Sequence, residues 1–420
     1  MKKKIKIIFS IMLTILVITN CSQNKKGNKI KIKVAYWGNI QERKIKQKLI
    51  RMFEKTHPNV KIIAEPTDWP YFQKILTIIA GNNAPDIFLV DDGFFREFAS
   101  RNSLLSIDDY VKKDMDYYNK NMFSKVINTF KYNGKFYGLP NQFFTEVIYY
   151  NKEMFNNKGI SYPEKNWKWN NAIKIAQKLT DIKQLNKVYG FASSGFNIST
   201  LNKNFEINFY KNGKCVLNTP SAINFAQFLI DVSDKYKIIP NFFNSQSDSP
   251  LQMFWSQRAA MIITGQYIAA EMISKNINWG VINLPIVNKL SKTRLTVHGF
   301  VISSKTKYPK ISYEFLKFAA EYNSQKLFFN LGINVPVNKK IFNNLKTFKI
   351  RKDMFENFSV AFDSLVHSSL REVIQGITTS QVNKIISEEF EKSYKDTKNQ
   401  PIAVTMKKIT KRINKLISEK

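Results

Sequence analysis

The stretch that decides the fold is IKIKVAYWGNIQERKIKQKLIRMFEKTHPNVKIIAEPTDWPYFQKILTIIAGNNAPDIFLVDDG, residues 30 to 93. It alternates three strand-like apolar runs with two helical patterns: Ile30–Trp37, Gln41–Lys55, Val60–Glu65, Tyr71–Ala80 and Asp86–Val90. In the first helical pattern Ile45, Leu49 and Phe53 recur at i, i+4 and i+8, which is the period of a helix with one buried face. This alternation predicts parallel strands joined by right-handed crossovers, and therefore an α/β fold.

The same alternation continues along the rest of the chain. Asn170 is predicted to cap a helix, and Thr219-Pro220 to open another with Pro at its favoured first position. Apolar runs predict three more buried strands: Ala259–Thr264, Trp279–Leu284 and Leu295–Ser303. The sequence after Pro309 is mainly helical in pattern, and it ends in an amphipathic segment, Ala403–Ser418.

The composition is that of a packed globular protein with a large basic excess. Of its 420 residues 44% are hydrophobic, and 65 Lys and Arg against 32 Asp and Glu give a net charge of +33. Such an excess suggests nucleic acid or an anionic surface. The basic residues occur singly or in pairs along amphipathic helices, which is typical of a solvated face, so no nucleic-acid partner is expected. Two cysteines and three separated histidines predict no metal site, and no cofactor is expected.

The N-terminus has the features of an export signal. Four lysines precede an apolar run of twelve residues, 7 to 18, which is shorter than the about 20 residues of a membrane span. The sequence Ile18-Thr19-Asn20-Cys21 then resembles a bacterial lipobox, although Asn20 replaces the usual small residue. We expect a signal peptide over 1–20, a lipid on Cys21 and a polar tether over 21–29, holding the protein at the outer face of the cytoplasmic membrane. The alternative is an uncleaved anchor with an incidental cysteine.

The chain lacks the sequence signatures of common catalytic and nucleotide-binding sites. It contains no G-x-x-x-x-G-K-[ST], G-x-G-x-x-G, H-E-x-x-H or G-x-S-x-G. The pair Asp91-Asp92 could serve acid–base chemistry, but adjacent loop carboxylates more often cap a helix or bind a ligand. We therefore expect no enzymatic activity, with an exported hydrolase as an alternative.

Six short motifs follow one another between about residues 30 and 340, and both their sequences and their order are informative. They are Tyr36-Trp37 with Phe53–Lys61, Ala80–Ile87, Tyr132–Pro140, Tyr149–Lys152, Pro163 with Trp167–Asn170, and Ala259–Gly265. Their order resembles that of the extracellular solute-binding proteins of ABC importers, in the sugar-binding group (maltose-binding-protein-like, solute-binding family 1). Residues 341–420 match this family only in helical character.

The resemblance implies a periplasmic-binding-protein-like fold, with two α/β lobes joined by hinge strands and a ligand cleft between them. One lobe would hold residues 30–139 plus 287–335, and the other 140–286 plus 336–420. The implied function is that of a monomeric substrate-binding lipoprotein of a carbohydrate ABC transporter. It would capture a mono- or oligosaccharide by hinge closure and deliver it to the transmembrane subunits of the permease. Other small solutes, such as a glycerol phosphodiester or a polyamine, remain the alternative cargo.

Candidate ligand contacts follow from the strand ends and from the resemblance. Ligands of parallel sheets bind beyond the carboxyl ends of the strands, and sugars need aromatic faces and hydrogen-bonding side chains. Strand-end positions supply Trp37, Asn39, Glu42, Asp68, Trp69, Asp91, Asp92, Gln266 and Tyr267. The family positions add Gln142, Phe144, Gly265, His298 and Gly299, and Trp255 is a further aromatic candidate. For the tryptophans and His298, packing in the core is the alternative role.

The candidate acids also predict the charge of the cleft. Glu42, Asp68, Asp91 and Asp92 would line it, whereas the lysines are spread over helix exteriors. Removal of residues 1–20, which hold four lysines and no acid, leaves a charge of about +29. A basic exterior around a neutral or acidic cleft favours a neutral polyol over an anionic ligand, and the exterior could be attracted to anionic lipid.

Overall fold

A computed structural model describes residues 29–419 except 184, 242–248, 331, 333–334, 375–376 and 397–399. The expected signal peptide, Cys21 and all of the tether but Lys29 lie outside these residues. The strands are β1 (Ile30–Tyr36), β2 (Val60–Pro66), β3 (Ile87–Asp91), β4 (Lys131–Tyr132), β5 (Lys135–Phe136), β6 (Gly138–Thr145), β7 (Val147–Asn151), β8 (Tyr189–Phe191), β9 (Tyr210–Lys211), β10 (Lys214–Cys215), β11 (Ala259–Thr264), β12 (Trp279–Ile282), β13 (Thr293–Ile302) and β14 (Ser368–Ser369).

Helices cover both sheets and make up most of the C-terminal third. They are α1 (Ile40–Thr56), α2 (Tyr71–Ala80), α3 (Asp92–Ser100), α4 (Asp108–Lys113), α5 (Met115–Asn121), α6 (Ser124–Ile127), α7 (Lys152–Asn157), α8 (Trp169–Leu179), α9 (Ile198–Leu201), α10 (Pro220–Asp234), α11 (Pro250–Trp255), α12 (Ala269–Ser274), α13 (Pro309–Ala320), α14 (Tyr322–Asn330), α15 (Lys339–Asn343), α16 (Lys352–Val366), α17 (Thr379–Asp396) and α18 (Ile402–Ser418). Short 3-10 helices span Asn128–Phe130, Gln266–Ile268 and Leu345–Thr347. Within the described ranges, no helix combines the length and apolar character needed to cross a membrane.

The first lobe is built on a six-stranded sheet. Its order is β14-β13-β3-β1-β2, and β6 pairs with β13 as well. β1 is parallel to β2 and to β3, as the sequence predicted, whereas β13 runs antiparallel to β3 and β6. Because β13 is antiparallel, its first residues lie at the same edge as the carboxyl ends of β3 and β6. That edge faces the second lobe.

The second lobe is built on a four-stranded sheet of order β12-β7-β11-β8. β7 is antiparallel to β11 and β12, so the start of β7 and the end of β11 share one edge. Apolar residues of α8, α10 and α18 pack on one face of this sheet, in a core centred on Met261 and Ile263. The other face is continuous with the core of the first lobe through Val147, Tyr149 and Trp279.

The pairing of β6 with β13 places the first boundary between the lobes later in the chain than the predicted position after residue 139. β6 pairs with β13 from Gly138↔Val301 to Leu295↔Thr145, so the strand belongs to the first sheet to its end. The chain therefore crosses at Glu146 rather than at 139. The apolar run 136–150 contains both β6, which belongs to the first sheet, and β7, which belongs to the second. Its apolar periodicity therefore could not show where the chain passes from one lobe to the other.

The other two boundaries move as well. Residues 283–292 stay with the second lobe, because Trp167 Nε1 donates to the Asn283 carbonyl at 3.1 Å and Asn204 Nδ2 to that of Lys292 at 2.9 Å. The segment after 335 stays with the first lobe, where Phe143 N–H donates to the Val335 carbonyl at 3.2 Å. Helix α16 then packs between the two sheets, and β14 pairs with β13. The chain enters the core of the second lobe with residues such as Ile377.

Candidate ligand-binding cleft

Four ring-bearing side chains form a continuous row across the cleft, which we call the aromatic row. Trp37 follows β1, His298 lies in β13, Phe144 lies in β6 and Tyr267 follows β11. Successive ring centroids are 5.0, 5.1 and 5.4 Å apart, from Trp37 to His298 to Phe144 to Tyr267. All four side chains are partly exposed. The row therefore joins an aromatic surface of the first lobe to Tyr267 of the second.

Gly265 permits the contact between the lobes. A Cβ at this position would lie 2.4 Å from Phe144 Cδ2, closer than two carbon atoms can approach without displacement. The backbone of Gly265 is extended, with a φ of −83°, so space and not conformation requires a glycine here. Gly265 thus acts on the cleft by letting Phe144 reach the second lobe.

His298 is held as a neutral imidazole at the centre of the row. Burial lowers the pKa of His298 to about 4, against the opposite effect of the nearby Asp91 and Glu42 carboxylates. Gln142 Nε2 lies 2.6 Å from His298 Nδ1. With the amide nitrogen donating to Nδ1, the ring proton lies on Nε2, which makes that nitrogen a hydrogen-bond donor.

Asp91 and Asp92 share a cation from the C-terminal segment. Arg371 Nη2 lies 3.9 Å from Asp91 Oδ2, and Arg371 Nε lies 3.4 Å from Asp92 Oδ2. Asp91 also caps α3 by accepting from Phe94 N–H at 2.7 Å, and Asp92 accepts from Val297 N–H at 3.2 Å. Burial raises the pKa of Asp92, and the Arg371 guanidinium counteracts this. Both carboxylates therefore lie beside the Arg371 guanidinium, and each also accepts a hydrogen bond from the backbone.

The other two cations of the cleft also lie beside carboxylates. Arg294 Nη2 donates to Glu146 Oε1 at 2.6 Å. Lys46 is buried next to Gly38 and Glu42, and burial lowers the pKa of its ammonium group. In all, the cations Lys46, Arg294 and Arg371 are accompanied by the carboxylates Glu42, Asp91, Asp92 and Glu146. Glu271 at the rim adds a further carboxylate, so the carboxylates of the cleft outnumber its cations.

The rim carries a hydrogen bond between the lobes. Asn39 Nδ2 donates to Glu271 Oε1 of α12 at 2.8 Å. Asn39 also caps α1 in a capping box, because its side chain accepts from Glu42 N–H and its own N–H donates to Glu42 Oε2, both at 2.9 Å. The predicted side chains Asn39 and Glu42 thus both lie at the rim. Their capping box holds the Asn39 amide in position to donate to Glu271 of the second lobe.

Asp68 and Trp69 lie on the outer part of the same rim. The Asp68 carboxylate is 78% exposed and forms an ion pair with Arg43, which lowers its pKa. Trp69 is 65% exposed, and its ring packs edge-on against Phe72 at 5.5 Å. An exposed tryptophan beside a cleft is available to a ligand that extends out of it.

Comparisons with known proteins identify the family of this chain. The family model described as "Bacterial extracellular solute-binding protein" matches residues 25–326. The chain belongs to this family. The arabinooligosaccharide-binding protein of Bacillus subtilis (strain 168) is 25% identical over 389 residues, which cover 86% of this chain and 88% of that protein. The predicted membership of the family of extracellular solute-binding proteins is therefore confirmed.

Solved structures of other solute-binding proteins share the fold. An ABC substrate-binding protein from Listeria monocytogenes in complex with cycloalternan matches with a TM-score of 0.82 at 23% identity, covering 93% of this chain and 99% of that one. UgpB from Mycobacterium tuberculosis in complex with glycerophosphocholine matches with a TM-score of 0.77 at 17% identity, covering 92% and 98%. These likenesses confirm the predicted two-lobe, periplasmic-binding-protein-like fold.

Two predicted contacts of this solute-binding protein are buried inside the fold, and a third packs against its neighbours. Gln266 is 1% exposed and braces the hinge, with Oε1 accepting from Thr145 N–H at 2.9 Å and Nε2 donating to Thr145 Oγ1 at 3.0 Å. At Gly299 a Cβ would lie 2.5 Å from the Leu139 carbonyl oxygen, so this glycine is required inside the sheet. Trp255 packs against Phe254, with Lys275 Nζ 5.8 Å above its ring.

Five charged residues of the cleft of this solute-binding protein were not predicted: Lys46, Glu146, Glu271, Arg294 and Arg371. Lys46 lies on the helix face that the pattern assigns to the core. A lysine is unexpected there, so the sequence could have indicated that Lys46 has a functional role. The carboxylate pair Asp91-Asp92, directly after a buried strand, also indicates that a cation lies nearby, because a buried charge without a partner is costly. The sequence does not show which of the 65 basic residues supplies it, since Arg371 stands in a segment without family motifs.

Within the described residues, no group of three or more His, Cys, Asp or Glu side chains is arranged to hold a metal ion.

Proposed function

We propose that this protein captures a mono- or oligosaccharide in the cleft and delivers it to the permease of an ABC importer. The observation that carries the proposal is the aromatic row, to which the two lobes contribute Trp37, Phe144 and Tyr267. Sugar rings present C–H faces that pack on aromatic rings and hydroxyls that need hydrogen-bonding partners. Neutral His298, oriented by the buried Gln142, supplies a polar partner beside the rings.

Ligand contacts from both lobes would couple binding to closure. A sugar that touches Trp37 on one side and Tyr267 on the other binds the closed state better than the open one, and so shifts the population toward closure. Asn39, Glu42, Asp68 and Trp69 at the rim, and Asp91 and Asp92 behind the row, are the further proposed contacts. Several hydrogen bonds and two or three packed rings are sufficient for a micromolar dissociation constant, about −8 kcal/mol.

The carboxylates of the cleft favour an uncharged cargo over an anionic one. Each guanidinium that faces it has a carboxylate within 4 Å, so an added anion would have to displace an existing partner. A glycerol phosphodiester is the second candidate, because Arg294 and Arg371 could exchange carboxylate for phosphate oxygens. The likeness to UgpB in complex with glycerophosphocholine supports the same candidate.

We further propose that residues 1–20 are a cleaved signal peptide and that Cys21 carries the lipid that anchors the monomeric protein outside the cytoplasmic membrane. A basic n-region, a short apolar run and the lipobox-like sequence before Cys21 support this. Intact-mass measurement of the membrane-extracted protein tests the proposal: an acylated N-terminal Cys21 is expected, and an uncleaved Met1 would contradict it.

A thermal-shift screen tests the cargo. The panel contains mono- and oligosaccharides, glycerol phosphodiesters and polyamines. A ligand at a hundred times its dissociation constant adds about 2.7 kcal/mol to the free energy of unfolding, which raises the melting temperature measurably. We expect this rise with at least one sugar. Stabilisation by another solute class and by no sugar would reject the proposed cargo.

A further inference from the structure

The exposed side of α1 carries four cations in one stripe. Lys44, Lys48, Arg51 and Lys55 lie at i, i+4, i+7 and i+11, which places them on one face over about 16 Å of helix. All four are exposed, whereas Ile45, Leu49, Ile50 and Phe53 on the opposite face are buried against the first sheet. We call this stripe the α1 basic face.

The charge of the α1 basic face is not neutralised by neighbouring acids. None of its four cations forms an ion pair within the part of the chain that the structure describes. The two acids of α1 are occupied elsewhere, since Glu42 closes the capping box and Glu54 pairs with Lys61 at 3.2 Å. Helix α18 is also basic: its Arg412 is paired with Glu388 and Glu389 of α17, whereas Lys407, Lys408 and Lys411 are exposed and provide a comparison.

The α1 basic face lies next to the point where the N-terminal tether joins the fold. After α1 the chain turns at residues 57–59, and the Ile30 N–H donates to the Asn59 carbonyl at 2.9 Å. The Lys55 end of α1 and the first residue of β1 therefore lie at the same edge of the sheet. Residues 22–29 span at most about 28 Å when fully extended, and they add three lysines. A lipid on Cys21 would keep this face close to the membrane surface.

We propose that the α1 basic face docks on the anionic phospholipid headgroups of the membrane that holds the lipid anchor. Clustered cations near an anionic membrane are attracted to it within a Debye length, and a lipid chain combined with a basic patch holds a protein more firmly than the chain alone. The docked face would also orient the first lobe at the surface. This inference rests on the lipid anchor of the proposed function but not on the identity of the cargo.

Vesicle co-sedimentation tests the proposal with the mature chain, residues 21–420, carrying Cys21→Ser, so that neither the signal peptide nor an acyl group contributes. The affinity for phosphatidylglycerol-containing vesicles is compared with that for pure phosphatidylcholine vesicles, at low and at high salt. We expect tighter binding to the anionic vesicles, and an about tenfold loss of this preference when Lys44, Lys48 and Lys55 are all replaced by Glu. High salt should abolish the preference of the parent protein.

The matched control replaces the exposed α18 lysines Lys407, Lys408 and Lys411 by Glu, which changes the net charge by the same amount. It should keep most of the preference. Equal losses in the two triple variants would show a non-specific effect of net charge and overturn the proposal, as would equal binding to both vesicle types. Tighter binding of the α1 basic face to soluble heparin than to vesicles would assign it to a polymer and overturn the lipid assignment. Sugar-induced thermal stabilisation should be equal in both variants, which separates this test from that of the cargo.

Discussion

Asn39 of the first lobe donates a hydrogen bond of 2.8 Å to Glu271 of the second, and it does so while it caps α1. The donor is therefore held in place by its own helix before closure. A bond that exists only when the lobes meet stabilises the closed state and slows release of the ligand.

Replacing Glu271 by Ala removes this bond without disturbing the cap on α1. A hydrogen bond of this kind contributes about 1 kcal/mol, so we expect sugar affinity to fall about three- to tenfold, mainly through faster dissociation. Stopped-flow and titration measurements check the rate and the affinity. Glu271→Gln keeps an acceptor and should bind nearly as the parent does; an equal loss in this variant would contradict a role for the bond.

Replacing Gly265 by Ala should displace Phe144 and so break its contact with Tyr267 in the aromatic row. The added Cβ would lie 2.4 Å from Phe144 Cδ2, so the ring must move, at a cost of about 1–3 kcal/mol. We expect weaker sugar binding and a lower melting temperature. Gly81→Ala is the matched control, because Gly81 has a similar φ of −79° and the nearest atom to its added Cβ is 3.5 Å away. Equal effects of the two substitutions would show that the contact with Phe144 is unimportant.

His298 makes stability depend on pH. Its pKa is about 4 in the folded protein and 6.5 when unperturbed, so the unfolded chain binds more protons between these values. The resulting contribution is complete above pH 6.5 and is lost as the pH falls toward 4. It amounts to between about 1 and 3 kcal/mol, because the ring is partly exposed.

Urea unfolding at several pH values measures this contribution. Other groups also titrate over the range, so the difference between the parent and His298→Asn isolates the imidazole. The difference should shrink as the pH falls from 6.5 to 4. His367→Asn, at an exposed position, is the control for replacing a histidine elsewhere in the chain. A difference for His298→Asn that is the same at every pH would contradict the burial of a neutral imidazole.

Arg371 should be needed for stability because it neutralises two carboxylates at the lobe interface. Arg371→Met leaves Asp91 and buried Asp92 without their cation, and we expect a loss of about 3–5 kcal/mol in the free energy of unfolding. Adding Asp92→Asn should recover part of this loss, which a double-mutant cycle measures. Arg101→Met removes an exposed pair with Glu97 and should cost less than about 1 kcal/mol. Strict additivity of Arg371→Met and Asp92→Asn would show that the two side chains do not interact.

The local pattern of residues 30 to 93 was enough to predict parallel strands and an α/β fold, whereas the division into two lobes was implied by the family resemblance. The apolar positions of β1, α1 and β2 and the cap at Asn39 are encoded within a few residues of each other. The strand ends also brought Trp37 and Tyr267 to one cleft, because the edge of a sheet is fixed by the direction of its strands. Such features depend on short-range sequence and were therefore predictable.

Other parts depend on partners that are distant in the chain. Gly299 was predicted as a ligand contact, but β13 pairs with β6 at this residue and the Leu139 carbonyl lies close to it, so Gly299 is buried within the sheet. Gln266 was predicted to face the ligand, but its amide bonds to Thr145, which lies 121 residues earlier. Arg371 reaches Asp92 from a segment whose pattern shows only helices and turns. No local pattern specifies these pairings.

The most direct test of sugar capture between two lobes is calorimetric titration of a sugar from the thermal-shift panel. It is performed on the parent protein and on Trp37→Ala and Tyr267→Ala, each checked for folding by its melting curve, with Tyr267→Phe as the control that keeps the ring. Each alanine variant should lose at least about tenfold in affinity, or 1.4 kcal/mol, because each removes one lobe's aromatic contact. Unchanged sugar affinity in both alanine variants would contradict capture by the aromatic row.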